Sequence, residues 1–194
     1  MMIIPQKRSL RQVIVAGLAA LVAPLTGCVT GGSVTPEVGY NMPVKQANID
    51  FDSAVSYGVR GSIKVKNKVE IEAEARFHNT EFNDGFQKNT LNASDLSVGV
   101  VIPVWNKGKA EVYAVPKVIS RSETENVELI GIGDVGSENR SSFGYGIEVG
   151  ARFQARKGSV DARISYEGFS KESYKRQSYE KSGINVSLGY HFEF

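Results

Sequence analysis

From Ile184 to the end of the chain every second residue is apolar or aromatic: Ile184, Val186, Leu188, Tyr190, Phe192 and Phe194. Between them stand Asn185, Ser187, Gly189, His191 and Glu193, all small or polar. A period of two marks a strand with one apolar and one polar face. The same alternation predicts strands over 160–167, 143–153, 111–119, 96–104, 69–78 and 55–65. An eighth runs over 34–44, where Val34, Pro36, Val38, Tyr40, Met42 and Val44 alternate with Thr35, Glu37, Gly39, Asn41 and Lys45; its two prolines each remove a ladder donor. Strands 96–104 and 111–119 are the least regular, because Val101, Val115 and Ile119 fall on the otherwise polar face.

The connections are of two kinds. Those at 66–68, 106–109 and 154–159 are short and rich in Lys, Asn and Gly, whereas those at 45–54, 79–95, 120–141 and 170–183 are longer. The two kinds alternate strictly, so all short turns share one end of the molecule. The predicted fold class is all-β: eight antiparallel strands in an up-and-down barrel. At 194 residues with 41% apolar content, one domain is expected. No long apolar run follows residue 30, so a membrane crossing would have to use strands.

Charge decides which face is inside. The polar face carries Glu37, Glu70, Glu72, Glu74, Glu111, Glu148, Asp161, Glu167 and Glu193 against Lys45, Arg60, Lys64, Arg76, Lys117, Arg152 and Arg163. Such near-balanced charge would fill the narrow lumen of an eight-stranded barrel as a paired lattice; the alternative is an open sheet with the charges in water. On the apolar face Tyr57, Phe77, Phe143, Tyr145 and Tyr166 fall toward the loop end and Phe153, Phe192 and Phe194 toward the turn end, as two aromatic girdles.

The N-terminus differs in kind. Lys7, Arg8 and Arg11 precede the apolar run "VIVAGLAALVAPL", which ends in "LTGC", Leu25 to Cys28. This resembles the lipobox of bacterial lipoproteins, which implies a signal peptide over 1–27, lipid attachment at Cys28, the only cysteine, and a short tether over 28–33. Val29 rather than Asp after the cysteine resembles the sorting pattern for the outer membrane. Without residues 1–27 the chain has 20 basic and 21 acidic residues, so its basicity belongs to the signal and no nucleic-acid partner follows.

Residues 34–194 resemble the small eight-stranded outer-membrane barrels of Gram-negative bacteria, the OmpA, OmpX and Ail type. The resemblance implies a non-enzymatic outer-membrane protein with loops at the cell surface serving adhesion, envelope integrity or partner binding. It implies contact with outer-membrane lipids and lipopolysaccharide, and Tyr190, Phe192 and Phe194 resemble the signal read by the barrel-assembly machinery. Two other readings share part of the pattern: a lipid-anchored lipocalin-like binding barrel, and a lipid-A-modifying barrel enzyme. The enzyme would need a serine beside His78, and "FHNT" offers Thr80. No metal-ligand spacing and no cofactor motif stand out; "GIGDVG" at 131–136 lacks the Lys-Ser/Thr of a phosphate loop and is expected to be a loop. In the basic 170–183 loop Tyr174, Lys175, Arg176 and Tyr179 are candidates for an extracellular ligand.

Overall fold

A computed structural model describes residues 29–43, 53–65, 69–83, 87–169, 172–174, 177–179 and 182–194. The stretch expected as a signal peptide, Cys28, Lys45, Lys175 and Arg176 lie outside them. Among the described residues there are ten strands: β1 (Val29–Pro43), β2 (Ala54–Val65), β3 (Val69–Asn83), β4 (Gln87–Lys107), β5 (Ala110–Leu129), β6 (Gly133–Ala155), β7 (Gly158–Phe169), β8 (Glu172–Tyr174), β9 (Gln177–Tyr179) and β10 (Ser182–Glu193). Eight of them close a barrel in the order β1-β10-β7-β6-β5-β4-β3-β2, every pair antiparallel. The remaining two, β8 and β9, form a small hairpin.

Closure rests on β1. It begins at Val29, so residues 29–33, expected as a tether, are strand. Gly32 and Phe194 exchange both backbone hydrogen bonds, at 3.0 and 3.1 Å. The β1–β10 ladder is interrupted at Thr35 and Pro36, where proline has no N–H to give, and resumes in the same register at Glu37↔Gly189. The Thr35 hydroxyl and His191 Nδ1, 2.9 Å apart, bridge the interruption.

Three strands are far longer than the alternation predicts. β4, β5 and β6 have 21, 20 and 23 residues, against 12 in β2, β7 and β10. The stretches 79–95 and 120–141, expected as loops, are therefore mostly strand, with the second reversing tightly at 130–132. About 10 residues of tilted strand cross the hydrocarbon. The surplus carries β3 to β6 beyond the barrel rim as a projecting sheet.

Alternation sorts the two faces. Leu96, Val98, Val100, Ile102, Val118, Ile147, Val149, Ile164, Val186 and Leu188 point outward and are exposed, while the buried side chains of the same strands are mostly polar or charged. This is the reverse of a lipocalin-like ligand barrel, which turns its apolar row inward. Among the described residues no helix is long and apolar enough to cross a membrane.

The irregular inner positions have a packing explanation. Val101, Tyr113 and Val115 form a small apolar cluster within the lumen, with Ile119 above them. Three of these side chains face glycines. A Cβ on Gly99 would lie 2.7 Å from Val115 Cγ1, one on Gly150 would overlap the Tyr113 ring, and one on Gly146 would sit 3.3 Å from Ile119 Cδ1. Glycine on one strand makes room for bulk on the next.

A β-bulge between Pro103 and Trp105 shifts the phase of β4 near the turn end. Trp105 then pairs with outward-facing Val112, joining Phe153, Phe192 and Phe194 among the exposed aromatics of that end. Strict alternation would have turned it into the lumen. At the loop end Tyr57 and Phe77 stack with centroids 5.9 Å apart.

Candidate functional site

The lumen is the site that the alternation builds. Among the described residues nine carboxylates are buried: Glu37, Glu70, Glu72, Glu74, Asp95, Glu123, Glu148, Asp161 and Glu167. Six cations are buried with them: Arg60, Arg76, Lys117, Arg121, Arg152 and Arg163. With fewer cations than carboxylates, each cation has to serve several partners.

In the middle tier Arg163 donates through Nη1 and Nη2 to the two Glu72 oxygens, both at 2.8 Å, and also bonds Glu148 and Asp161. Arg60 bonds Glu37 and, at 3.2 Å, Asp161, with Glu72 at 3.5 Å. The Tyr113 hydroxyl donates to Asp161, and its ring lies 4.8 Å from the Arg163 guanidinium carbon. Asp161 thus joins β2, β5 and β7 across the barrel.

The upper tier is organised by Lys117 and Arg76. Lys117 Nζ lies 3.1 Å from Glu74, 3.1 Å from Glu148 and 3.2 Å from Glu167. Arg76 Nη2 donates to Glu167 at 2.6 Å and to Asp95 at 3.0 Å. Arg121 forks onto Asp95 at 2.6 and 2.8 Å and lies 3.9 Å over the Phe169 ring. Asp95 and Arg121 belong to stretches expected as loops. Extending the alternation of β4 through Ser97 to Asp95, and of β5 through Ile119 to Arg121, would have found both.

The turn-end tier is looser. Ser62 donates to Glu70 at 2.5 Å, Arg152 reaches Glu111 at 3.5 Å, and the half-exposed Lys64 and Glu193 meet at 3.3 Å. Glu111 is partly exposed rather than enclosed. Among the described residues every expected lattice residue is on the inner face; Lys64, Glu111 and Glu193 stand at its rim. Of the loop candidates, Tyr174 and Tyr179 fall in the β8–β9 hairpin. Tyr190, Phe192 and Phe194 lie at the turn end of the barrel, with Tyr190 and Phe192 rings 4.7 Å apart.

His78 does have serine and acid neighbours, which the sequence reading missed. Ser56 is its cross-strand partner and Asp95 Oδ2 lies 3.9 Å from its Nδ1. Yet Ser56 Oγ is turned toward β1 and β10: it lies 2.7 Å from the position of a Cβ on Gly39 of β1 and accepts from Asn185 Nδ2 of β10 at 3.1 Å. Asp95 is occupied by Arg121, and all three side chains are buried in the lumen, away from the lipid-facing wall. Among the described residues no group of His, Cys, Asp and Glu is arranged to hold a metal ion.

A closed wall that is apolar outside, charged inside and bordered by aromatics agrees with the comparisons to known proteins. The family model described as "Outer membrane protein beta-barrel domain" matches residues 13–192. The chain belongs to this family. It is a protein of the bacterial outer membrane. No curated protein matches it by sequence. Among solved barrels, Neisserial surface protein A aligns over 86% of this chain and 99% of its own at 10% identity, TM-score 0.60. Ail of Yersinia pestis covers 83% of this chain and 99% of its own at 15% identity, TM-score 0.54. OprG of Pseudomonas aeruginosa covers 86% and 97% at 11% identity, TM-score 0.52. At these identities the likeness is one of fold, and the outer-membrane barrel's own residues have to supply the rest.

Proposed function

We propose that the chain is a non-enzymatic surface protein, a sealed barrel that holds a β-sheet out from the outer membrane for binding. The supporting observation is the upper half of β6. Among the described residues, 133–143 pair with β5 on one side, and pairing with β7 begins only at Gly144↔Phe169. This stretch stands beyond the barrel rim, within reach of a partner at the cell surface. The hairpin tip presents exposed Ile130, Ile132 and Val135 for apolar contact with that partner.

In this reading the lattice is structural: shared ion pairs span the lumen and leave the loops to carry activity. Outer-membrane lipids and lipopolysaccharide surround the apolar wall, and the barrel-assembly machinery inserts it. Cys28 adds a lipid tether on the periplasmic side. The test replaces residues 124–139 with an Asn-Gly turn in cells expressing the full chain. Attachment of those cells to a host-cell surface is expected to fall to the vector-only level, while the heat-modifiable gel shift of the barrel persists. Unchanged attachment by the trimmed variant would overturn the proposal.

A further inference from the structure

The turn end holds a cavity of about 360 Å³ that the surface role does not use. Its charged lining comprises Lys109, Glu111, Arg152, Arg156, Lys157 and Glu193, four cations against two carboxylates. Lys109 belongs to the β4–β5 turn, where Gly108 takes φ 63°, and Arg156 and Lys157 form the β6–β7 turn. Gln154 N–H donates to the Lys109 carbonyl at 2.8 Å, which ties the two turns together around the opening.

Arg152 is buried, 6% exposed, and has few hydrogen bonds. Its Nε and Nη2 have no hydrogen-bond partner; Nη2 lies 3.8 Å from Glu70 and 3.9 Å from Asp161, and Nη1 is 3.5 Å from Glu111. By contrast, Arg76, Arg121 and Arg163 have short bonds to carboxylates. A desolvated guanidinium with unmatched donors is costly, and its planar fork suits an oxyanion with two oxygens. The exposed Lys109, Arg156 and Lys157 add attraction from the rim.

We infer that this mouth is a phosphate site, with Arg152 as its floor and Lys109, Arg156 and Lys157 as its rim. The three exposed cations of the rim, Lys109, Arg156 and Lys157, favour an anion over a neutral polar group. Phosphate is also at hand in the lipid headgroups just beyond the exposed aromatics Trp105, Phe153 and Phe192. The phosphate could equally be a free one from the aqueous side, and the two sources are separable.

Trp105, the only tryptophan, adjoins Asn106 of the lining and reports on the site. The full-length barrel, purified in phosphate-free maltoside detergent, is titrated at constant ionic strength with sodium phosphate and, separately, with short-chain phosphatidylglycerol. A saturable change in Trp105 emission is expected with phosphate and not with chloride. A response to both ligands assigns the site to headgroups, and one to inorganic phosphate alone assigns it to a soluble phosphate. The triple variant Lys109→Gln, Arg156→Gln, Lys157→Gln alters only exposed turns and is expected to weaken binding at least tenfold. Arg152→Lys keeps the charge, loses the fork and is expected to weaken it comparably. A change that is linear, equal in chloride, or unaltered in the triple variant would overturn the site.

Discussion

β4, β5 and β6 pass through two environments without a break, and the same alternation does different work in each. Inside the barrel one face meets lipid and the other is enclosed, so Arg121 and Lys117 are buried against several carboxylates. Beyond the rim the enclosure loosens: Thr124 bonds Asn139 at 2.7 Å and Arg140 lies 3.0 Å from Glu125, in pairs that remain partly exposed. Enclosure, rather than pairing as such, decides what an ion pair is worth.

The contrast breaks most sharply at Arg163. Arg163→Met keeps most of the volume but leaves Glu72, Glu148 and Asp161 short of a cation, and a loss of about 3–5 kcal/mol is expected. Urea-dependent unfolding of the reconstituted barrel, followed by gel shift, measures it. Adding Glu72→Gln should recover part of the loss if the cause is uncompensated charge.

Gly150→Val tests packing in the same enclosure. Its side chain would enter the Tyr113 ring, and overpacking is expected to cost about 1–3 kcal/mol in the same unfolding assay. Outside the barrel, Ile132→Ser removes an 81%-exposed side chain from the hairpin tip. The unfolding midpoint should then move by no more than about 0.5 kcal/mol equivalent. A larger shift would mean that the tip is packed against something in the membrane-bound protein.

The same contrast explains what the sequence made legible. All eight barrel strands stand out because lipid demands apolar residues at every second position, as in the runs from Ile184 to Phe192 and from Val69 to Phe77. The upper halves of β5 and β6 do not, since Thr124, Glu125 and Asn126 are polar on both faces once neither faces lipid. Asp95 on β4 and Arg121 on β5 likewise fall in stretches that the alternation leaves as loops. The reversal at Trp105 depends on a single bulged residue, which leaves no periodic trace. Asp161 as the junction of three strands depends on barrel curvature, which brings Arg60 on β2 and Tyr113 on β5 to one carboxylate.

The sharing of each lumen cation among several carboxylates also limits how this barrel can change over evolutionary time. A substitution at Lys117 alters the surroundings of Glu74, Glu148 and Glu167 on three other strands at once. Homologous sequences should therefore show correlated replacements across the lumen, exchanging several charges together. In the projecting hairpin Arg140 is likewise shared by Glu125 and Glu138, but these side chains are partly exposed, so water can stand in for a lost partner and the constraint is weaker.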